Sequence, residues 1–263
     1  MLLLCDFIYI FRHFHSSLKG HRMLKEFLEG GALFGIICES LSLTAESIGY
    51  WLLMLAAVLL CVAAGYLIGS VNAAIVISTK KYKSDIRTHG SGNAGMTNMF
   101  RTFGKTGGFL TLFGDLAKTL LPILVGYVIF SYPGSYLAGL FVVLGHCFPL
   151  YYKFKGGKGV LAMFAMMLVC DPPVFILMIL IFAIIVIGTR FVSMASVMTA
   201  FFLPILINSW YAIISGSGAV AGIRIPIAFL ITLTVCVMHI PNLKRIMNKE
   251  EPRIKMPWDK KKK

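Results

Sequence analysis

The run Lys153-Phe-Lys155-Gly156-Gly157-Lys158-Gly159 sets three lysines among three glycines, immediately before a long apolar stretch. Glycine lets backbone N–H groups come close to an anion, and a helix start adds aligned N–H dipoles, so the pattern suits a phosphate. The spacing is not that of a nucleotide P-loop, so nucleotide hydrolysis is not indicated. Membrane-surface lysines beside a turn would explain the charges but not three glycines in four positions. A second polar run, Asp85-Ile-Arg87-Thr-His-Gly90-Ser-Gly-Asn93-Ala-Gly95-Met-Thr97-Asn98, mixes glycines with Ser, Asn and Thr between basic residues. Successive N–H groups there would form an anion-binding nest, and Arg87 would add a planar two-point grip. An ordinary flexible loop is the competing reading.

Single polar residues stand at the ends of apolar runs: Ser70 after Gly69, His146 before Pro149, Arg190 with Ser193, and His239 with Asn242. One histidine in such a setting is commonly satisfied by a neighbour. Several at one depth point to a site, because ionisable groups are expensive in a membrane. Asp115 and Lys118 are i,i+3 on one helix face, so they either neutralise each other or belong to that site. No HExxH, paired-carboxylate or Ser/His/Asp arrangement is present. The six cysteines (5, 38, 61, 147, 170 and 236) show no CxxC spacing and read as small buried hydrophobes rather than disulfides or zinc ligands.

The elements that carry these residues must lie in a bilayer. Of 263 residues, 58% are hydrophobic and 14% charged, and the mean hydropathy is +0.82, whereas soluble domains carry roughly 25% charged residues. Runs long enough for about 30 Å of hydrocarbon occupy 47–79, 109–130, 136–150, 160–188, 191–215 and 225–243. Asp171-Pro172-Pro173 should split the fourth into two shorter helices, because proline is costly inside a helix. The expectation is an all-α polytopic membrane protein of about seven transmembrane helices, with 160–170 the shortest. The connections at 80–105, 153–158, 190 and 244–263 hold 19 of the 25 basic residues. The opposite connections hold only Asp171 and Arg224. By the positive-inside bias the basic loops and C-terminus are cytoplasmic and the N-terminus is outside. The net charge of +14 then reflects membrane topology rather than nucleic-acid binding. Residues 1–46 are mixed in character and read as an N-terminal extension or an upstream start. Residues 47–243 read as the membrane domain, and 244–263 as a basic cytoplasmic tail whose terminal lysines meet the lipid surface.

The segments Gly65-Tyr-Leu-Ile-Gly69-Ser70, Asp85–Asn98 with Arg101 and Gly104, Leu144-Gly-His146-Cys-Phe-Pro149 running into the 153–159 loop, Arg190-Phe-Val-Ser193, and His239-Ile-Pro-Asn242-Leu-Lys-Arg245 with Glu250-Glu-Pro252 resemble the bacterial acyl-phosphate:glycerol-3-phosphate acyltransferases, the PlsY family. The likeness covers about residues 50–255. Asn72, Met96 and Leu161-Ala162 depart from the family's usual residues. The resemblance implies acyl transfer from acyl phosphate to the 1-hydroxyl of glycerol 3-phosphate at a bacterial plasma membrane. Lysophosphatidic acid and inorganic phosphate would be the products. It implies no cofactor and no metal, membrane lipids as surroundings, and an acyl-phosphate-forming enzyme as partner. On that reading Ser70, Lys158 and His239 are catalytic. Arg87, Asn93, Ser193, His239 and Asn242 hold glycerol 3-phosphate. Lys155, Gly156, Gly157, Lys158, Gly159 and His146 hold the acyl phosphate. A substrate phosphate would accept the hydroxyl proton. The alternative is a transporter of an organic phosphate, which would be expected to show internal hydropathy symmetry.

Overall fold

The computed structural model describes residues 33–43, 46–215 and 223–254. Most of the N-terminal extension, the turn expected between the last two spans and the lysine-rich end of the tail lie outside the described residues. The regular elements among them are all helical: α1 (Leu33–Ser40), α2 (Ile48–Gly69), α3 (Ala73–Tyr82), α4 (Met96–Cys147), α5 (Val160–Cys170), α6 (Pro172–Thr189), α7 (Val192–Ser215) and α8 (Arg224–Met247), with 3-10 turns at Ile86–Thr88 and Leu150–Tyr152.

α2 starts where Ser47 accepts a hydrogen bond from the Tyr50 amide and runs 22 uncharged residues, about 33 Å at 1.5 Å per residue. The single run expected over 47–79 is interrupted. Asn72 accepts from the Ile75 amide and so begins a separate helix, α3. The Ser70 amide closes α2 on the Tyr66 carbonyl, and the Asn72 side chain satisfies an open amide at the start of α3, so the chain turns between them.

The segment α4 leaves helical backbone angles twice, at Gly104 (φ 71°) and at Phe130–Ser131. Beyond the second break it folds back on itself. The Ser135 hydroxyl donates to the Ile123 carbonyl, and a Cβ on Gly126 would fall 2.3 Å from the Gly134 oxygen. The two limbs, 105–129 and 132–147, therefore pack antiparallel at a separation that only glycine permits, matching the turn expected after residue 130. The second limb also meets α2 through small residues. A Cβ on Gly65 would strike the Ala138 carbonyl at 2.4 Å, and one on Gly69 the Val142 Cα at 2.7 Å. Gly65 and Gly69 thus form a GxxxG contact, the device by which membrane helices approach closely.

The Asp171-Pro172-Pro173 break falls as expected: α5 ends at Cys170 and α6 begins at Pro172, whose missing N–H costs nothing in the first turn. α5 has only 11 residues, about 16 Å. It is wedged against a core rich in methionine, where Met163, Met166 and Met167 meet Leu140, Met178, Leu203 and Ile231. Flexible thioethers fill the irregular space that a short helix leaves between longer ones. Five helical stretches among the described residues are long and apolar enough to cross a membrane, the second containing the fold-back of α4. Their outward surfaces are apolar: Leu59, Phe113, Leu180, Ile184 and Leu233 are all exposed. Such a surface belongs against lipid, and the protein is a multi-pass membrane protein.

Candidate active site

A cavity of about 880 Å³ opens among the loop before α4, the start of α5, α6, the start of α7 and the end of α8. It has two chemically different ends. At one, Ser91, Thr97, Arg101, Lys158, Ser193 and Asn242 present donors and positive charge. At the other, Leu161, Phe164 and Leu168 of α5 face Phe175, Ile179 and Phe182 of α6. Phe164 holds this apolar wall together by edge-to-face contacts with Phe175 and Phe182 at 6.2 and 5.5 Å. Leu168 and Ile179 remain exposed along this wall, so the groove continues from the polar mouth as an open apolar channel between α5 and α6.

The polar end is built on a chain of contacts that starts at Lys158. Its ammonium donates to the Asn242 Oδ1. The Asn242 amide nitrogen donates to Glu251 Oε1 at 2.7 Å, and Arg245 Nε donates to Glu251 Oε2 at 2.8 Å. A carboxylate only accepts, so Glu251 fixes which way the Asn242 amide faces and turns its oxygen to the lysine. Burial would raise the Glu251 carboxyl, but hydrogen bonds from Asn242 and Arg245 hold it below its ordinary range. The segment that carries Glu251 is strapped across the mouth. The Ile254 amide donates to the Arg190 carbonyl at 2.9 Å, and Arg253 lies over the Phe191 ring at 5.1 Å. Burial, reinforced by Arg245 and Arg101 and opposed by Glu251, brings the Lys158 ammonium down to about 8.

His239 is buried on α8, and its Nδ1 lies 2.8 Å from the Val235 carbonyl. A carbonyl accepts only, so Nδ1 carries the proton and Nε2 is left as the second functional atom of a cavity-lining ring. A second buried cluster borders the cavity between the two limbs of α4. Lys118 Nζ is 3.0 Å from Asp115 Oδ1, 2.8 Å from His146 Nδ1 and 2.9 Å from the Val71 carbonyl. Of this cluster Asp115 and His146 line the cavity.

Seven of the residues expected at the site therefore meet around one space: Asn93, His146, Lys158, Gly159, Ser193, His239 and Asn242. Five do not line it. Ser70 is fully buried, and its hydroxyl accepts the Leu150 amide, tying the end of α2 to the turn after α4. Arg87 clamps Asp85 through Nε and Nη2, and its Nη1 donates to the Tyr152 and Lys155 carbonyls. Its hydrogen bond holds the Asp85 carboxyl below the usual range. Arg87 thus joins the two polar loops. Lys155 is exposed, and its carbonyl serves that joint. The amides of Gly156 and Gly157 donate to the Cys147 and His146 carbonyls, which corrects the expectation that they are open to phosphate. Their lack of a side chain has another cause: a Cβ at either position would come within 2.1 Å of His146 atoms. Residues that the sequence reading left unassigned, Ser91, Thr97, Arg101, Arg245 and Glu251, do reach the cavity. All five stand within the quoted motifs, which was the available signal.

Comparison with known proteins agrees with this geometry. The family model described as "Glycerol-3-phosphate acyltransferase" matches residues 59–249. A glycerol-3-phosphate acyltransferase of Bacillus subtilis (strain 168) is 37% identical over 205 residues, covering 77% of this chain and 99% of the relative. One from Syntrophotalea carbinolica is 36% identical over 196 residues, covering 73% and 95%. Among solved structures, the glycerol 3-phosphate form of PlsY (YgiH), an integral membrane glycerol 3-phosphate acyltransferase, superposes with a TM-score of 0.67 at 30% identity, covering 75% of this chain and 96% of that one. Its lysophosphatidic acid form superposes with a TM-score of 0.64 at 29% identity, covering 75% and 95%. With its helices, its two-ended cavity and these relatives taken together, the chain belongs to the glycerol-3-phosphate acyltransferase family.

Proposed function

We propose that the protein moves a fatty acyl group from acyl phosphate to the 1-hydroxyl of sn-glycerol 3-phosphate, releasing lysophosphatidic acid and inorganic phosphate. The observation that carries this reading is the two-ended cavity: a cationic mouth continuous with an open apolar groove. An acyl phosphate has this shape, and a second phosphate finds further donors at the same mouth.

Lys158 and Arg101, with the start of α5 at Gly159, receive the donor phosphate, and the acyl chain lies between α5 and α6. Ser193, His239, Asn242 and Arg245 receive glycerol 3-phosphate, while Ser91, Asn93 and Thr97 close over the reacting carbonyl. The hydroxyl oxygen attacks the carbonyl carbon, the bond to the phosphate oxygen breaks, and the departing phosphate takes the hydroxyl proton. A mixed anhydride already carries a good leaving group, so positioning and charge neutralisation supply the catalysis. Acylation of glycerol 3-phosphate begins phospholipid synthesis, and an enzyme that forms acyl phosphate at the membrane would supply the donor.

The basic loops carry this mouth, and the positive-inside bias places it in the cytoplasm with the N-terminus outside. Counting the α4 fold-back as two crossings and α5 as one gives seven. Support comes from Asp171 at the end of α5, which accepts from the Tyr211 hydroxyl near the far end of α7 at 2.5 Å. Labelling of a cysteine at exposed Lys155 should require permeabilised cells, and labelling from outside would reverse the orientation.

Purified protein given palmitoyl phosphate and labelled glycerol 3-phosphate should make lysophosphatidate, and palmitoyl-CoA should not replace the donor. Equal product from the thioester would overturn the donor assignment.

A further inference from the structure

Resting on that acyl-phosphate reading, we propose that His146 Nε2–H is a hydrogen-bond donor to the reacting acyl carbonyl, and that Lys118 and Asp115 are positioning residues that fix its tautomer.

The three side chains are almost completely buried: Asp115 is 1%, His146 5% and Lys118 7% exposed. The Lys118 ammonium hydrogen-bonds the Val71 carbonyl and His146 Nδ1, and it pairs by charge with Asp115 Oδ1 at 3.0 Å. An ammonium donates and never accepts. Nδ1 must therefore be the bare nitrogen, and the ring proton resides on Nε2. Asp115 balances the lysine charge, which makes the buried cation tolerable. A second proton on the ring would displace the Lys118 hydrogen bond and set two cations side by side. The ring is thereby held neutral, with a donor at Nε2.

Gly157 packs against Nε2, and room beside that nitrogen depends on the missing side chain. A Cβ on Gly157 would sit 2.1 Å from His146 Nε2, and one on Gly156 2.1 Å from the His146 carbonyl. Among the described residues no hydrogen bond is made at Nε2, while the ring lines the cavity beside Lys158 and Gly159. When the glycerol hydroxyl adds to the carbonyl carbon, the carbonyl oxygen gains negative charge. It returns that charge as the carbon–oxygen bond to phosphate breaks. Nε2–H stabilises the oxygen without giving up its proton, and a donor of this type changes kcat by about 10²–10³-fold.

Glutamine places an amide N–H near the position of Nε2, and asparagine places one near Nδ1. With acyl phosphate saturating, His146→Gln should keep kcat within about tenfold of wild type. His146→Asn should lose about a hundredfold or more, with both KM values within about threefold. The positioning role is read from a cycle. Asp115→Asn/Lys118→Gln, which removes both charges together, should lower kcat about tenfold or more in the His146 protein. In the His146→Gln protein, whose amide has no tautomer to fix, it should lower kcat by less than about threefold. Equal losses in both backgrounds would reduce the pair to a packing element and overturn the positioning role. Equal activity of His146→Gln and His146→Asn would overturn the donor role, and that comparison decides alone if the pair variant does not accumulate. Wild-type protein that makes no lysophosphatidate from acyl phosphate would overturn the donor substrate and this inference together. Wild-type turnover with either equality above would overturn this inference alone.

Discussion

The two polar glycine loops look alike in the sequence, and the structure uses them in opposite ways. In the 84–95 loop the side chains maintain the loop itself. Asn98 donates to the Ile86, His89 and Asn93 carbonyls and accepts from the Ser91 amide. Gly90 takes a positive φ directly against it. That wiring leaves the backbone preformed, with Ser91, Asn93, Thr97 and Arg101 directed to the cavity. In the 153–159 loop the glycines do the holding by lying flat on the end of α4, and one side chain, Lys158, projects into the mouth. The first loop is therefore a shaped wall and the second a single charge on a thin support. Substitutions should distinguish them: a change in the wall should reach both substrates and stability, and a change at the lysine should reach chemistry alone.

The largest effect is expected at Lys158. Lys158→Ala should lower kcat/KM for the acyl phosphate by about 10–150-fold, since a charge-assisted contact is worth about 1.5–3 kcal/mol. The thermal midpoint should stay close to wild type. With the ammonium brought down to about 8, the free enzyme loses this charge as pH rises through that value. Wild-type kcat/KM should therefore fall at higher pH, and Lys158→Arg should not show that limb because its guanidinium stays charged. A Lys158→Ala protein with the same alkaline limb would assign the ionisation elsewhere.

Asn98 is the corresponding test of the wall. Asn98→Ala removes the partner of three carbonyls and one amide in a residue that is 1% exposed. Leaving such groups unpaired costs about 1–3 kcal/mol, so denaturant or thermal unfolding should show a clear loss of stability. Any fall in activity should accompany lowered affinity for both substrates. A selective effect on one substrate with unchanged stability would make Asn98 a binding residue instead.

Arg87 falls between the two. Its sequence context predicts a glycerol 3-phosphate ligand, for which Arg87→Lys would raise one KM selectively. In the structure it joins the loops through Asp85, Tyr152 and Lys155. Arg87→Lys should therefore raise both KM values together, by about twofold to tenfold, since lysine keeps the charge and loses the planar fork. A rise confined to glycerol 3-phosphate would return Arg87 to the acceptor site.

The class of the protein, the Asp171-Pro172 break and the turn after residue 130 were legible because each rests on hydropathy or on proline and glycine chemistry. The mouth formed by Lys158, Ser193, His239 and Asn242 was legible too, as polar residues that the bilayer would otherwise exclude. Glycine function was not, because one residue type serves both anion approach and close packing, and only the position of His146 tells which applies at 156 and 157. Arg87 carried a signal that was easy to pass over, a carboxylate two residues earlier able to occupy its fork. Glu251 was obscured by lying in a tail dominated by lysine and arginine, although it orients Asn242. The Asp115–Lys118 pair was visible on one helix face, but its third member, His146, enters from the other limb of α4, 28 residues away.

Ser70 gives the smallest expected effect and the sharpest contrast with Lys158. Both stand beside glycine at the edge of an apolar run, and both read as catalytic from the sequence. The Ser70 hydroxyl is fully buried and accepts the Leu150 amide at 3.2 Å, away from the cavity lining. Ser70→Ala leaves that amide without its partner and removes little volume, which should cost about 1 kcal/mol of stability. The values of kcat and both KM should remain within about twofold of wild type once the protein is folded. Ser70→Thr is not a suitable control, because the residue is fully buried and an added methyl group would have to displace its neighbours. Ser70→Cys keeps a similar size with a weaker acceptor and should fall between wild type and alanine in stability alone. A hundredfold loss of kcat in Ser70→Ala with an unchanged unfolding midpoint would restore the serine to the reaction and would require the cavity to extend across the end of α2 during turnover.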